Sequence, residues 1–268
     1  MANATVFDRL FTPKKPIPRG VEVGAAIVVA GTLLAGWSGL TYSGYISSSF
    51  LPTPGEVWKS FVRMASNGTL IKHTAISLQE IYLGFFLSSV VAVPLGIFMG
   101  GFRIVAAMIE PIVNFMRYLP VTSLIPLLIL WIGIGLEEKI AVIFLGTFFQ
   151  QIVLVSDVAR QVHEDLFNVS YTLGANRRQI VMRVLVPATM PGVLDTLRVT
   201  MGWAWTFLVV AELVAANAGL GYMILQAMRG LDPAAIFVGI FVIGVLGLLT
   251  DLAFKWIKNA SMPWTHAR

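Results

Sequence analysis

Long apolar runs separated by short polar breaks constrain this chain more than any other feature. Val21 to Trp37, Thr74 to Gly101, Ile140 to Ser156, Val193 to Ala216 and Pro233 to about Ile257 approach or exceed the roughly 20 apolar residues that cross a bilayer as a helix. Only 12% of the residues are charged, against about 25% in soluble domains, and the mean hydropathy is +0.80. The surplus apolar surface must face lipid. The fold class that follows is an all-α membrane protein.

Taken in order, residues 1–20 form a basic, proline-containing tail, with Arg9, Lys14, Lys15 and Arg19. A basic start before an apolar run also suits a signal peptide, but no small-residue cleavage site follows the first run, so an anchored helix is the reading adopted. Residues 21–73 then hold the first span and an external loop. Within that loop Thr53-Pro-Gly-Glu56 is a capping box with proline at the first helical position. It starts a short helix with Val57, Phe61 and Met64 on one face, suited to the outer membrane interface.

Residues 74–257 form the core domain. In the second span, Gly96 and Gly100 stand four apart and let another helix approach closely. Ile104 to Gly135 is too long for one simple crossing and contains Pro111, Pro120 and Pro126. It reads as an interfacial lead-in helix followed by a broken third span. Non-helical backbone survives at membrane depth only inside protein or beside a water-filled cavity, so Arg117-Tyr-Leu-Pro120 and Ile125-Pro126 are candidates for a transport path. Leu136-Glu-Glu-Lys139 reads as a tight external turn, and Asn217 to Leu231 as an external loop. Asp232 caps the last span, whose first position is Pro233. Asp251 and Lys255 stand four apart near its inner end, where they can pair. A tail over 258–268 follows.

Six spans with both termini inside satisfy the positive-inside rule. Of 19 Lys and Arg residues, only Lys59, Arg63, Lys72, Lys139 and Arg229 then fall outside, with Arg117 unassigned. The formal charge of +5 fits a cytoplasmic membrane surface better than nucleic acid. The chain has no cysteine, which excludes disulfides, thiolate metal sites and cysteine nucleophiles. His73, His163 and His266 are too scattered for a metal site. No Gly-x4-Gly-Lys-Ser/Thr motif occurs, so the chain is not expected to hydrolyse ATP.

One polar island interrupts the apolar pattern, over residues 158–190. From Asp165 to Pro187 it reads as helix, turn, helix: Leu166, Val169 and Leu173 share a face, Gly174 stops the first helix, and Arg177, Arg178 and Arg183 lie on the second, which Pro187 closes. The spacing Gly174, nine residues, Val184, one residue, Val186-Pro187 resembles the second half of the EAA loop of bacterial ABC-importer permeases. Asn168-Val169-Ser170 stands where that loop has Glu-Ala-Ala, while Leu173-Gly174-Ala175 keeps the steadier part. Phe50-Leu-Pro-Thr-Pro54 and the pair Ala211-Glu212 with Gly219-Leu-Gly221 resemble further features of the nitrate, sulfonate, taurine and bicarbonate permeases.

The resemblance implies a type I ABC importer permease fold, MetI-like, in the bacterial inner membrane. Two copies would form the pore, separate ABC ATPase subunits would bind Mg and ATP, and a solute-binding protein would deliver a small anion. The chain itself would carry no cofactor, no metal and no catalytic residue. By the same resemblance Leu166, Val169, Ser170, Leu173, Gly174, Ala175, Arg177, Arg178 and Pro187 would engage the ATPase.

Arg117, Pro120, Pro126, Trp203 and Glu212 are the candidate path and gate residues. Arg117 either faces an anionic cargo or serves the interface, snorkelling to headgroups or pairing with Glu110. Glu212 either holds an outer gate or makes a structural hydrogen bond at a helix end. Trp203 and Trp205 suit packing as well as cargo contact. A self-sufficient secondary transporter or channel is the alternative, though no repeat and few intramembrane carboxylates support it. An intramembrane enzyme would need a catalytic pair that the spans do not offer.

Overall fold

The structure, a computed structural model, describes residue 12 and residues 17–262. Most of the amino-terminal tail and the end of the carboxyl-terminal one therefore lie outside the described residues. Five helices are long and apolar enough to cross a membrane: α1 (Arg19–Tyr42), α3 (Thr69–Gly101), α6 (Leu136–Arg160), the rod from Arg177 to Ala215, and α11 (Pro233–Ser261). Helices α4 (Arg103–Met116) and α5 (Val121–Ile132) are apolar enough only as a pair, bent by 91° at a short break, and bring the count to six where the pair is taken as one span. The break falls between Arg117 and Pro120, inside the segment that the sequence reads as a lead-in helix followed by a broken third span. Shorter helices are α2 (Pro54–Ser66), α7 (Glu164–Thr172) and α10 (Leu220–Arg229).

Helices α3 and α6 make the most extensive pairing, with the Arg177–Ala215 rod against α6. Glycine makes the first contact possible. A Cβ on Gly96 would sit 2.8 Å from that of Val155, and one on Gly100 2.6 Å from that of Ala159, so both glycines let the backbones close. Polar side chains then tie three helices at mid-bundle. Ser88 Oγ donates to Gln151 Oε1 at 3.1 Å, Thr147 Oγ1 to Ser88 Oγ at 2.9 Å, and Gln151 Nε2 reaches Thr200 Oγ1 at 3.4 Å. Buried polar groups must find partners within the protein here, because lipid offers none.

Helix α1 stands apart. Along its apolar window nothing is buried, and it is fastened near one end, where Trp37 Nε1 donates to Pro52 O at 3.0 Å and its ring stacks on Phe237. The capping box opens α2 as the sequence predicts, with Glu56 N donating to Thr53 Oγ1 at 3.2 Å and Thr53 N to Glu56 Oε2 at 2.8 Å. Val57 and Met64 pack with Ala235 and Val238 of α11, and Arg63 pairs with Asp232 at 2.8 Å. The apolar face of α2 is therefore covered by protein.

Three local expectations are corrected. Leu136 to Lys139 is the first turn of α6, not an external turn; the chain reverses over residues 133–135, where Gly133 takes φ +89°. Asn217 to Leu231 contains α10, whose first N–H groups are satisfied by the side chains of His73, Ser77 and Glu212. Pro187 does not close a helix. A π-turn over Val181–Leu185, with Val186 N bonded to Val181 O, precedes α9 (Val186–Ala215) and continues α8 (Arg177–Ile180). Proline cannot donate and its ring crowds the preceding turn, and a widened turn accommodates it without breaking the rod.

Candidate functional site

The polar island folds as the helix, turn and helix expected of it. Helix α7 ends at Thr172 with Leu173 as its cap, and Gly174 takes φ +76°, with its N–H on Tyr171 O at 3.0 Å. A β-branched side chain resists that backbone conformation. Ala175 N returns to Ser170 O at 3.0 Å, and Ser170 Oγ donates to Leu166 O at 2.6 Å, which locks the turn. Asn176 then caps the rod through a reciprocal pair with Gln179, both bonds at 2.9 Å.

On this elbow Leu166 is 48% exposed, Val169 57% and Leu173 81%. They form an apolar stripe that no other part of the described chain covers. Between α7 and the rod lies a cleft of about 490 Å³, lined by Leu166, Val169, Ser170, Arg183, Val184 and Pro187. Arg177 and Arg178 stand exposed just past the turn. The arrangement is a shallow, largely apolar socket with Asp165 and Arg183 in its lining and Arg177 and Arg178 outside it. The elbow is anchored through Leu185, Val162 and Phe167, packed with Ile97, Val155, Ala159 and Val193.

The broken span holds a second candidate site. Arg117 caps α4 and Pro120 precedes α5, so both lie in the bend. They line a cleft of about 210 Å³ together with Gly146, Phe149 and Gln150 of α6 and Phe207 of α9. Those α6 residues are midway along Leu136–Arg160, which puts the break at the middle of the bundle. Arg117 does not pair with Glu110. That carboxylate binds Arg160 at 2.7 Å, because α4 runs back past the end of α6. Arg117 instead donates to Tyr118 Oη at 3.1 Å, its guanidinium lies 4.8 Å from that ring's centroid, and its buried Nε has no hydrogen-bond partner. Pro126 lies farther along α5, and Trp203 one turn from Phe207 on α9 and 40% exposed; neither lines the cleft.

Glu212 has no exposed surface. Its carboxylate accepts from Ser77 Oγ and from Gly221 N, both at 2.5 Å, joining α3, α9 and the start of α10. Leu220 N donates to Ser77 Oγ at 2.8 Å and Gly219 N to His73 Nδ1 at 3.0 Å. These bonds satisfy the amino end of α10, where a carboxylate also meets the positive pole of the helix dipole. Glu80 and Glu138 are buried nearby, and Lys139 Nζ donates to Gly135 O at 3.0 Å and to Ala215 O at 3.2 Å. Glu212 thus sits in a structural joint away from the cleft of Arg117. Ser77, Glu80, Lys139 and Gln150 carry no role in the sequence reading. The signal for Glu80 was present, since an ionisable residue inside an apolar span is costly unless it serves a purpose.

Comparison with known proteins places this architecture. Residues 92–260 match the model of the binding-protein-dependent transport system inner membrane component family, a range that holds the last third of α3, the α4–α5 break, α6, the elbow and nearly all of α11. The chain is 39% identical over 231 residues to a probable ABC transporter permease protein of Brucella melitensis, covering 86% of this chain and 93% of that one. It is 30% identical over 269 residues to the taurine transport system permease protein TauC of Escherichia coli, covering 98% and 97%. Among solved structures, the MetNI methionine ABC transporter in an inward-facing conformation shares the fold, with a TM-score of 0.65 at 22% identity over 72% of this chain and 95% of that one. The chain belongs to the binding-protein-dependent transport system inner membrane component family, the permeases of ABC transporters.

Proposed function

We propose that this permease carries a small oxyanion, of the sulfonate or taurine type, along a path that includes the break at Arg117 and Pro120. Relatives over nearly the whole chain are permeases for taurine and for aliphatic sulfonates, which supports that cargo class. Two copies form the pore, with Pro126, Trp203 and the joint at Glu212 flanking it. Both termini and the elbow face the cytoplasm, and a solute-binding protein docks on the opposite side. A separate ATPase subunit binds Mg and ATP and grips the elbow through Leu166, Val169, Leu173 and the arginines Arg177 and Arg178. Closure of the ATPases draws the two elbows together, and the nucleotide shifts the bundle between two states by binding one better than the other.

The observation that carries this reading is the apolar stripe on α7, exposed in a segment that must lie in water. A solvated polar loop would not present Leu173 at 81% exposure beside two other uncovered apolar residues. The test is Gly174→Val in the reconstituted permease–ATPase complex. Valine at φ +76° is strained by at least ~1–2 kcal/mol, which distorts the elbow while leaving the bundle folded. Cargo-stimulated ATP hydrolysis is expected to fall to the basal rate. Full transport-linked hydrolysis in this variant would show that the elbow does not couple.

A further inference from the structure

We infer that the cleft at the break between α4 and α5 is an oxyanion-binding site, in which the Arg117 guanidinium and the Gln150 side-chain amide hold the charged end of the cargo. The inference rests on the transport-path reading above and adds to it the groups that hold the anion, including a residue not named there, Gln150.

Four observations lead there. First, Arg117 lies opposite the middle of α6, where a charge is expensive unless a partner or water meets it. Second, no carboxylate of the described chain neutralises it. Glu110 is taken by Arg160, and Glu80, Glu138 and Glu212 gather at the end of the bundle where Lys139 sits. Third, its Nε has no acceptor in the described chain, so protein alone does not satisfy the guanidinium; that atom is buried, and a ligand would meet the fork of the two terminal nitrogens. An oxyanion with two oxygens side by side suits that fork, as a point-like ammonium would not.

Fourth, the remaining walls fit a small organic anion. Gln150 supplies a neutral amide donor, whereas an acid there would repel the ligand. Phe149 and Phe207 offer apolar faces for a short carbon tail, and Gly146 lies against Phe207, where any Cβ would be 2.5 Å from the ring. At about 210 Å³ the cleft is smaller than the roughly 300–1,000 Å³ typical of drug-sized ligands, which selects compact cargo. Tyr118, which also lines the cleft, holds the guanidinium through its hydroxyl and its ring and positions it.

The test uses the permease–ATPase complex in detergent, with thermal unfolding followed in sodium ethanesulfonate and in its neutral isostere ethanesulfonamide, at matched ionic strength. A ligand that binds only the folded state raises the midpoint. Ethanesulfonate is expected to raise it by about 2 °C or more, and ethanesulfonamide to leave it unchanged. Arg117→Gln and Gln150→Leu should each abolish the shift, and Arg117→Lys should lose most of it. Gln150 is only partly buried, so Gln150→Leu decides the matter if Arg117→Gln fails to fold.

A wild-type complex without the sulfonate-specific shift would overturn the site. So would a shift retained in both variants, or an Arg117 occupied by a carboxylate of a second copy. Uptake of taurine by the assembled transporter separates this inference from the broader reading. Wild-type import rates in both variants would leave the cargo class standing and remove the site. A variant-sensitive shift in a transporter that imports no taurine would keep the site and remove taurine as cargo.

Discussion

At the elbow, Leu166, Val169 and Leu173 stand in the open with nothing of the described chain above them, whereas at the far end of the rod Glu212 has no exposure and both its oxygens are bonded. Both places join helices through a short reversal, and both use a glycine the turn depends on. They differ in where the missing partner is. The Glu212 joint is complete within the chain: Ser77, Gly221 and Glu212 satisfy one another, and the amino end of α10 is capped in the process. The elbow is folded internally by Asn176, Ser170 and Gly174, yet its outward face is unfinished. Changes at the first should therefore act on stability, and changes at the second on assembly with another protein.

The largest effect is expected from Glu212→Ala. It orphans the buried Ser77 hydroxyl and the Gly221 N–H, costing about 2–6 kcal/mol at roughly 1–3 kcal/mol for each group left unsatisfied. The purified permease should melt well below the wild type. A normal melting temperature combined with selective loss of ATPase coupling would erase the distinction between the two ends.

Gly221→Ala comes next. Its Cβ would lie 2.8 Å from the Glu212 Cβ and 2.9 Å from Val209 O, tighter than packed atoms allow, and the crowding should cost about 1–3 kcal/mol in a chemical-denaturation or melting series. Wild-type stability in that variant would mean the joint is looser than its geometry implies.

Leu173→Ser should have the smallest effect on the fold, within about 0.5 kcal/mol, because the side chain is 81% exposed. Its effect should emerge only in pull-down of the ATPase, as roughly tenfold weaker binding from lost apolar burial. Undiminished binding would exclude Leu173 from the contact surface.

Much of this contrast is legible in the sequence, and unequally so. The elbow is local: Leu166, Val169, Leu173 and Gly174 lie within nine residues, so periodicity and one glycine suffice to draw it. The broken span is legible for a similar reason, since Pro111, Pro120 and Pro126 interrupt an apolar run in a way a straight helix cannot absorb. The Glu212 joint is not local. Ser77 is 135 residues from Glu212, and only packing reveals that the two share a bond. Helix α10 is hidden for the same reason, because its caps come from α3 and α9 and leave no signal beside Gly219. Lys139 looked like a surface turn residue because charge normally seeks water; here two backbone carbonyls, of Gly135 and Ala215, take its place. Pro187 misleads in the opposite direction. Proline usually ends a helix, but the π-turn before it lets the rod run on.

The most direct test exploits the absence of native cysteine. A single cysteine introduced as Leu173→Cys, in membranes containing the permease and its ATPase, offers one thiol at the most exposed large apolar residue of the elbow. A short thiol-to-amine cross-linker is expected to join that position to the ATPase subunit, with a yield that changes when nucleotide is bound. Failure to capture the ATPase, with the thiol instead labelled from outside intact cells by a membrane-impermeant maleimide, would contradict the coupling role and reverse the topology with it.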